Sequence, residues 1–213
     1  MKARFSFGAL LSLVCGSIVG LTMSIPAAAS DSEPYLQFQQ KWAQAQYQQQ
    51  GDAQEQALAT LANEVRASSA AHPDDLALKT WAGIIIGSYA GAKGGLGALS
   101  LAEESKAAYE SVIDKDPSVL NGSALTSLGV LYYKVPGWPL GFGDEERAAF
   151  MLKRGLALNP DGIDSNYFYA DFLVSQGKKE EAKRYLQKAK AAAPRPGREI
   201  ADAGRQSEIA RLQ

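Results

Sequence analysis

Residue types that do chemistry are thinly spread along this chain of 213 residues. His72 is the single histidine, and it stands before Pro73 with no cysteine, histidine or acidic cluster at ligand spacing. It reads as a turn residue, and no metal site is expected. Covalent catalysis needs a nucleophile beside an activating base, and the chain has no G-x-S-x-G, no S-x-x-K and no Cys–His pairing. Gly91, Gly94, Gly95 and Gly97 precede a helix and invite comparison with a phosphate cradle. They lack the Lys-Ser/Thr ending of a P-loop and follow a helical stretch where a strand is needed, so they read as a hairpin turn. The acidic pairs Glu103–Glu104 and Glu180–Glu181 lie among charged neighbours on helical stretches, as solvated faces do. No catalytic residue and no cofactor is expected, and the chain does not read as an enzyme.

The stronger candidates are for binding. In "KVPGWPLGFGD", Pro136 and Gly137 make a tight turn, and Asp144 is placed to cap the helix that follows. Between them stand Trp138, Leu140 and Phe142, apolar side chains in a segment that would otherwise be a solvated loop. Two readings are open. The loop presents Trp138 and Phe142 to a partner or pocket, or the side chains fold back and plug the gap between helices.

These residues are positioned by a repeating helical pattern. Its clearest copy runs from Ile163 to Pro194: Tyr169, Ala170 and Leu173 fill one helix face, Gly177 breaks the chain, and Ala182, Leu186 and Ala189 line a second face. Small residues at Ala170, Ala182 and Ala189 let two antiparallel helices approach closely. Leu128–Gly129 and Tyr132 occupy the same places one unit earlier, followed by Ala148, Leu152, Gly155 and Leu156. Pro117 closes another unit and Pro73 a weaker first one. Pro160 to Pro194 is 34 residues; Pro73 to Pro117 and Pro117 to Pro160 are 44 and 43. The added residues are expected as inserted loops near 91–101 and 135–144, inside hairpins, where helix faces still meet.

The pattern resembles the tetratricopeptide repeat (TPR), whose period is 34 residues. That resemblance implies an all-α fold: antiparallel helical hairpins stacked as a TPR-like right-handed solenoid, about four hairpins over 30–194, with a C-terminal capping helix over 195–213. It also implies a binding groove lined by first helices. Aligned on the repeats, Thr126, Val130, Tyr133 and Lys134 face that groove in one unit, and Asp164, Tyr167, Asp171 and Val174 in the next. Tyr133 and Tyr167 then either grip an extended peptide or flat apolar ligand, or pack on the capping helix or inserted loop. Lys and Arg do not recur at these positions, so a carboxylate clamp is not indicated.

The chain opens with Lys2 and Arg4, an apolar stretch and the small residues Ala27–Ala29, with no acidic residue before Asp31. This is the pattern of a cleaved signal peptide over 1–29, and it predicts a periplasmic or secreted protein with no stable membrane insertion after cleavage. Cys15 lies inside that stretch, but Ser12 and Val14 stand where a lipobox wants Leu and a small residue. Without the signal, the formal charge falls from −1 to −3 and no cysteine is left for a disulfide. No dense basic stripe is present, which argues against nucleic acid as partner.

The segment from Leu125 to Ala182, with its Leu-Gly, Pro-Gly turn and Gly-Asp before a Leu-rich helix, resembles the T-component (TatT-like) family associated with TRAP transporters. The likeness extends over roughly residues 74–194. It implies an all-helical secreted protein that handles a small apolar ligand or meets a periplasmic solute-binding protein. The leading functional expectation is a scaffold that binds a protein or peptide through its concave face and inserted loops. The alternative is a transport accessory holding a small apolar solute in a helical pocket.

Overall fold

In the computed structural model, which describes residues 33–213, helices start and stop where the sequence supplies caps and breakers. The expected signal segment, residues 1–29, lies outside the described residues. Pro34 opens α1 (Pro34–Tyr47), which is followed by α2 (Gly51–Ala71). The Asp75 carboxylate accepts from the Leu78 N–H at 2.8 Å and caps α3 (Leu76–Lys93), which pairs with α4 (Gly97–Lys115). After α5 (Val119–Lys134), Asp144 takes the capping role expected of it, accepting from the Arg147 N–H at 2.9 Å at the start of α6 (Glu145–Leu158). Between α7 (Ile163–Ser175) and α8 (Lys179–Ala191), Gly177 adopts φ 74°. There the Lys178 N–H reaches Leu173 O and the Gly177 N–H reaches Val174 O, closing the last carbonyls of α7. The final helix is α9 (Glu199–Leu212).

The helices pack in consecutive antiparallel pairs, α1/α2, α3/α4, α5/α6 and α7/α8, while α1, α3, α5 and α7 also touch in series. This is an all-α, TPR-like helical solenoid. Every second helix buries residues at i, i+4 and i+7: Leu58, Ala62 and Val65; Ser105, Tyr109 and Val112; Ala148, Leu152 and Gly155; Ala182, Leu186 and Ala189. One helix stripe facing the first helix of its pair requires this spacing. In α4 and α6 the middle member is the knob. A Cβ on Gly83 would stand 2.5 Å from the Tyr109 ring, and one on Gly129 would stand 2.6 Å from Leu152 Cγ, so both glycines are notches into which the partner helix fits.

The extra residues near 91–101 do not form the loop expected of them. Gly91–Lys93 end α3, residues 97–101 begin α4, and only 94–96 turn, with Gly94 and Gly95 both at φ 62°. Alanine and leucine around the glycines sustain helix on both sides, so the insertion lengthens the hairpin. Residues 135–144, by contrast, stay non-helical because Pro136 and Pro139 interrupt the backbone bonding a helix needs.

Ala182 is wholly buried, while Glu181 is exposed and lies 3.4 Å from Arg184. Ala182→Leu is expected to cost about 1–3 kcal/mol by forcing α7 and α8 apart, and Glu181→Leu close to nothing. Thermal melts compare the two; equal midpoint shifts would refute this register.

Two apolar cores run along the solenoid. One joins α1, α2 and α3; the other spans α4 to α8. Helix α9 contributes to both, with Ala201 in the first and Ile209 in the second, and it packs on α1, α7 and α8. It therefore runs from the last hairpin back to α1 without touching α3 or α5. Among the described residues, no helix is long and apolar enough to cross a membrane.

Candidate functional site

Helix α9 is held on the first helices by charge as well as by packing. Asp164, at the start of α7, receives Arg205 Nε at 2.8 Å on one oxygen and an Arg195 guanidinium N–H at 2.6 Å on the other. Arg195 also grips Asp202, at 2.6 and 2.8 Å, and Arg205 pairs with Glu208. The Arg205 guanidinium lies over the rings of Phe168 and Tyr167, 4.3 and 4.5 Å from their centroids. Burial acts to raise the Asp164 carboxyl, but Arg205, Arg195 and Arg198 outweigh it and hold it well below the usual carboxylate range. Burial likewise opposes the charge on Arg205, and Asp164 foremost keeps it protonated.

Beneath this strap is a cavity of about 340 Å³, walled by α1, α3, α5, α7 and the segment 195–205. Its apolar surface includes Trp42, Trp81, Ile84, Val130 and Phe168. The Trp42 indole N–H donates to Ser88 Oγ at 2.8 Å. The indole N–H of Trp81, a residue only 3% exposed, has no acceptor among the described residues. Arg198 stacks over the Trp81 ring at 5.3 Å, and its buried Nε has no acceptor either. Burial, then the neighbouring charge of Arg195, pushes the Arg198 guanidinium below its ordinary value. Tyr109, buried between Ser105 and Ser127 on the same wall, has its hydroxyl pushed up to about 12 by burial. The opening turn of α5 is left-handed, with Leu120, Asn121 and Gly122 at φ 49°, 55° and 75°. For the two non-glycine residues this costs roughly 1–2 kcal/mol each, and it sets Leu120 and Asn121 on the cavity wall.

The groove residues expected from the sequence fall in three places. Thr126 is buried, borders the cavity and abuts Gly155 of α6. Tyr133, Lys134 and Asp171 form a cluster: the Tyr133 hydroxyl donates to Asp171 at 2.7 Å, Lys134 Nζ approaches the same oxygen at 2.8 Å, and Tyr133 meets Phe172 edge-on. Burial and the Asp171 charge push the Tyr133 hydroxyl well above its usual range. Tyr167 packs under Arg205 of α9.

The loop aromatics part company. Phe142 turns inward, edge-on to Tyr132 at 6.0 Å and under Lys106. Trp138 is 90% exposed and Leu140 68%. The loop's own backbone holds it in shape, with the Gly143 N–H on Pro136 O and the Asp144 N–H on Tyr132 O. A Cβ on Gly143 would fall 2.0 Å from Val135 O, so this closure requires glycine. Gly141 packs against Leu99 in the first turn of α4, next to the 94–96 turn where Leu96 is 90% exposed. The two insertions thus meet at one edge.

Residues 140–206 match the family model for the tetratricopeptide repeat. That match spans α6, α7, α8 and the strap as far as Gln206. Together with the stacked helical pairs it supports a TPR protein. No curated protein matches the chain. The strap arginines were not among the site residues expected from the sequence. Ala201, Arg205 and Ile209 make a regular buried stripe on α9, but the arginine in the middle reads as polar and breaks the apolar period.

Proposed function

We propose that this protein is an exported TPR scaffold that binds a protein partner through the edge where its two insertions meet. TPR repeats generally act in protein–protein interaction. The observation that carries the reading is the contrast between the two faces. On the inner face the chain's own α9 packs across α1 and α7, whereas Trp138 and Leu140 stand uncovered on a loop held by backbone bonds, beside Leu96 exposed on the neighbouring turn. A rigid aromatic anchor of this kind suits the centre of an interface. A solute-binding protein as partner, in the manner of the T-component family, is the finer form of the proposal.

Trp138→Ala is expected to leave stability within about 0.5 kcal/mol and to weaken partner binding by about 2 kcal/mol or more. Phe142→Ala is expected to do the reverse, lowering the thermal midpoint by removing packing on Tyr132. Melts of both variants beside a titration with the captured partner separate the roles; unchanged affinity in Trp138→Ala would sink the proposal. Export is tested by N-terminal sequencing, which should find the mature chain beginning near Ser30. An intact Met1 on membrane-bound protein would contradict it.

The second reading, a pocket for a small solute, is favoured by the cavity under α9 and its apolar walls.

A further inference from the structure

Three guanidiniums and one carboxylate line the cavity under α9: Arg195, Arg198, Arg205 and Asp164. Asp164 is shared by Arg195 and Arg205, and those two have Asp202 and Glu208 as further partners. Among the described residues Arg198 forms no ion pair, and its Nε is buried without an acceptor. It is held over Trp81, whose own N–H is buried with no partner among the described residues. Charge left unpaired and donors left unsatisfied in a half-closed site are costly, and an anion relieves the charge. The remaining wall is largely hydrocarbon and aromatic ring, contributed by Trp42, Ile84, Val130 and Phe168. At about 340 Å³ the space lies near the lower end for ligand pockets, too small for a dinucleotide and suited to a compact molecule.

We infer that this cavity binds a small monoanion with an apolar body, its carboxylate meeting Arg198 and its hydrocarbon or ring lying against Trp81, Ile84 and Phe168. The inference rests on the solute-pocket reading and adds the charge that reading lacks. Arg195 and Arg205 stay committed to Asp164, so the strap remains closed over the ligand while Arg198 recognises its head. The left-handed turn at Leu120–Gly122 places Asn121, an exposed amide, at the rim.

Titration calorimetry on protein purified from cells expressing the whole chain tests this with three probes: octanoate, 1-octanol and inorganic phosphate. Octanoate is expected to bind one per chain and at least tenfold tighter than either of the others. Arg198→Gln should bring octanoate down to the level of 1-octanol while leaving 1-octanol unchanged, and Arg198→Lys should keep part of the preference. The 1-octanol affinity reports that the cavity is intact in each variant. Should Arg198→Gln lose both probes, Arg198→Lys decides, and equal binding of the two probes by it overturns the inference. Equal binding of octanoate and 1-octanol by the native protein overturns the anionic head while the solute pocket stands. Phosphate binding as tight as octanoate overturns the apolar body. An unaltered preference in Arg198→Gln overturns the assignment to Arg198. Binding of none of the three overturns the solute-pocket reading itself.

Discussion

Asp164→Asn is expected to lower the thermal midpoint by roughly 6–12 °C, corresponding to about 3 kcal/mol in a chain of this size. The substitution keeps the shape of the side chain and removes the charge to which both Arg195 and Arg205 are anchored. Arg205 is only 7% exposed at its side chain, so weakening its pairing leaves a desolvated cation with Glu208 alone. Asp164 is itself about a third exposed, and Arg195 keeps Asp202; the figure therefore sits at the lower end for a broken buried pair. The loss should depend on pH in a defined direction. The folded carboxyl is depressed, so its contribution is fully present above the unfolded value near 3.9 and is lost as pH falls below that. Melts of both proteins across pH should show a constant gap above about pH 5 that narrows below about pH 4. A gap that widens in acid would overturn the strap's electrostatic account.

The second large effect lies in the α5–α6 interface. Leu152 is 1% exposed and fills the notch left by Gly129, so Leu152→Ala is expected to cost about 2–5 kcal/mol through lost burial and the void. Gly129→Ala alone should also destabilise, because its new methyl would meet Leu152 Cγ at 2.6 Å and the Leu152 backbone N at 3.1 Å. Together the two changes should cost less than the sum, since the truncated Leu152 makes room for the methyl. Denaturant titration of the four proteins measures the coupling. Strict additivity would show that the two residues do not pack as knob and notch.

Much of the fold was legible because it is local. The hairpins follow from apolar residues at i, i+4 and i+7, from proline at the unit ends and from Gly177 at a turn; each operates over a few residues and leaves a periodic trace. The cap at Asp144 was legible for the same reason. The loop at 135–144 announced itself through Pro136, Gly137 and Pro139, but the opposite fates of Trp138 and Phe142 did not, because both are aromatic residues in one turn. Whether each meets solvent or Tyr132 depends on how the loop closes against α4 and α5. Near residues 91–101, glycine content pointed to a loop, while the surrounding alanines and leucines, supported by packing along the hairpin, extended both helices.

The inner face was decided by tertiary structure. From sequence alone, Asp164, Arg195 and Arg205 are three charged residues separated by 31 and 10 positions, with nothing periodic to join them. Folding brings them within 2.6–2.8 Å because α9 returns across α1 and α7, and that return also sets Arg198 over Trp81 with no acceptor for its Nε among the described residues. Helical periodicity records which face of a segment is buried; it carries no record of which distant segment covers it. The repeats were therefore determined by the order of residues along the chain, and the cavity with its lining arginines by the path the chain takes after its last repeat.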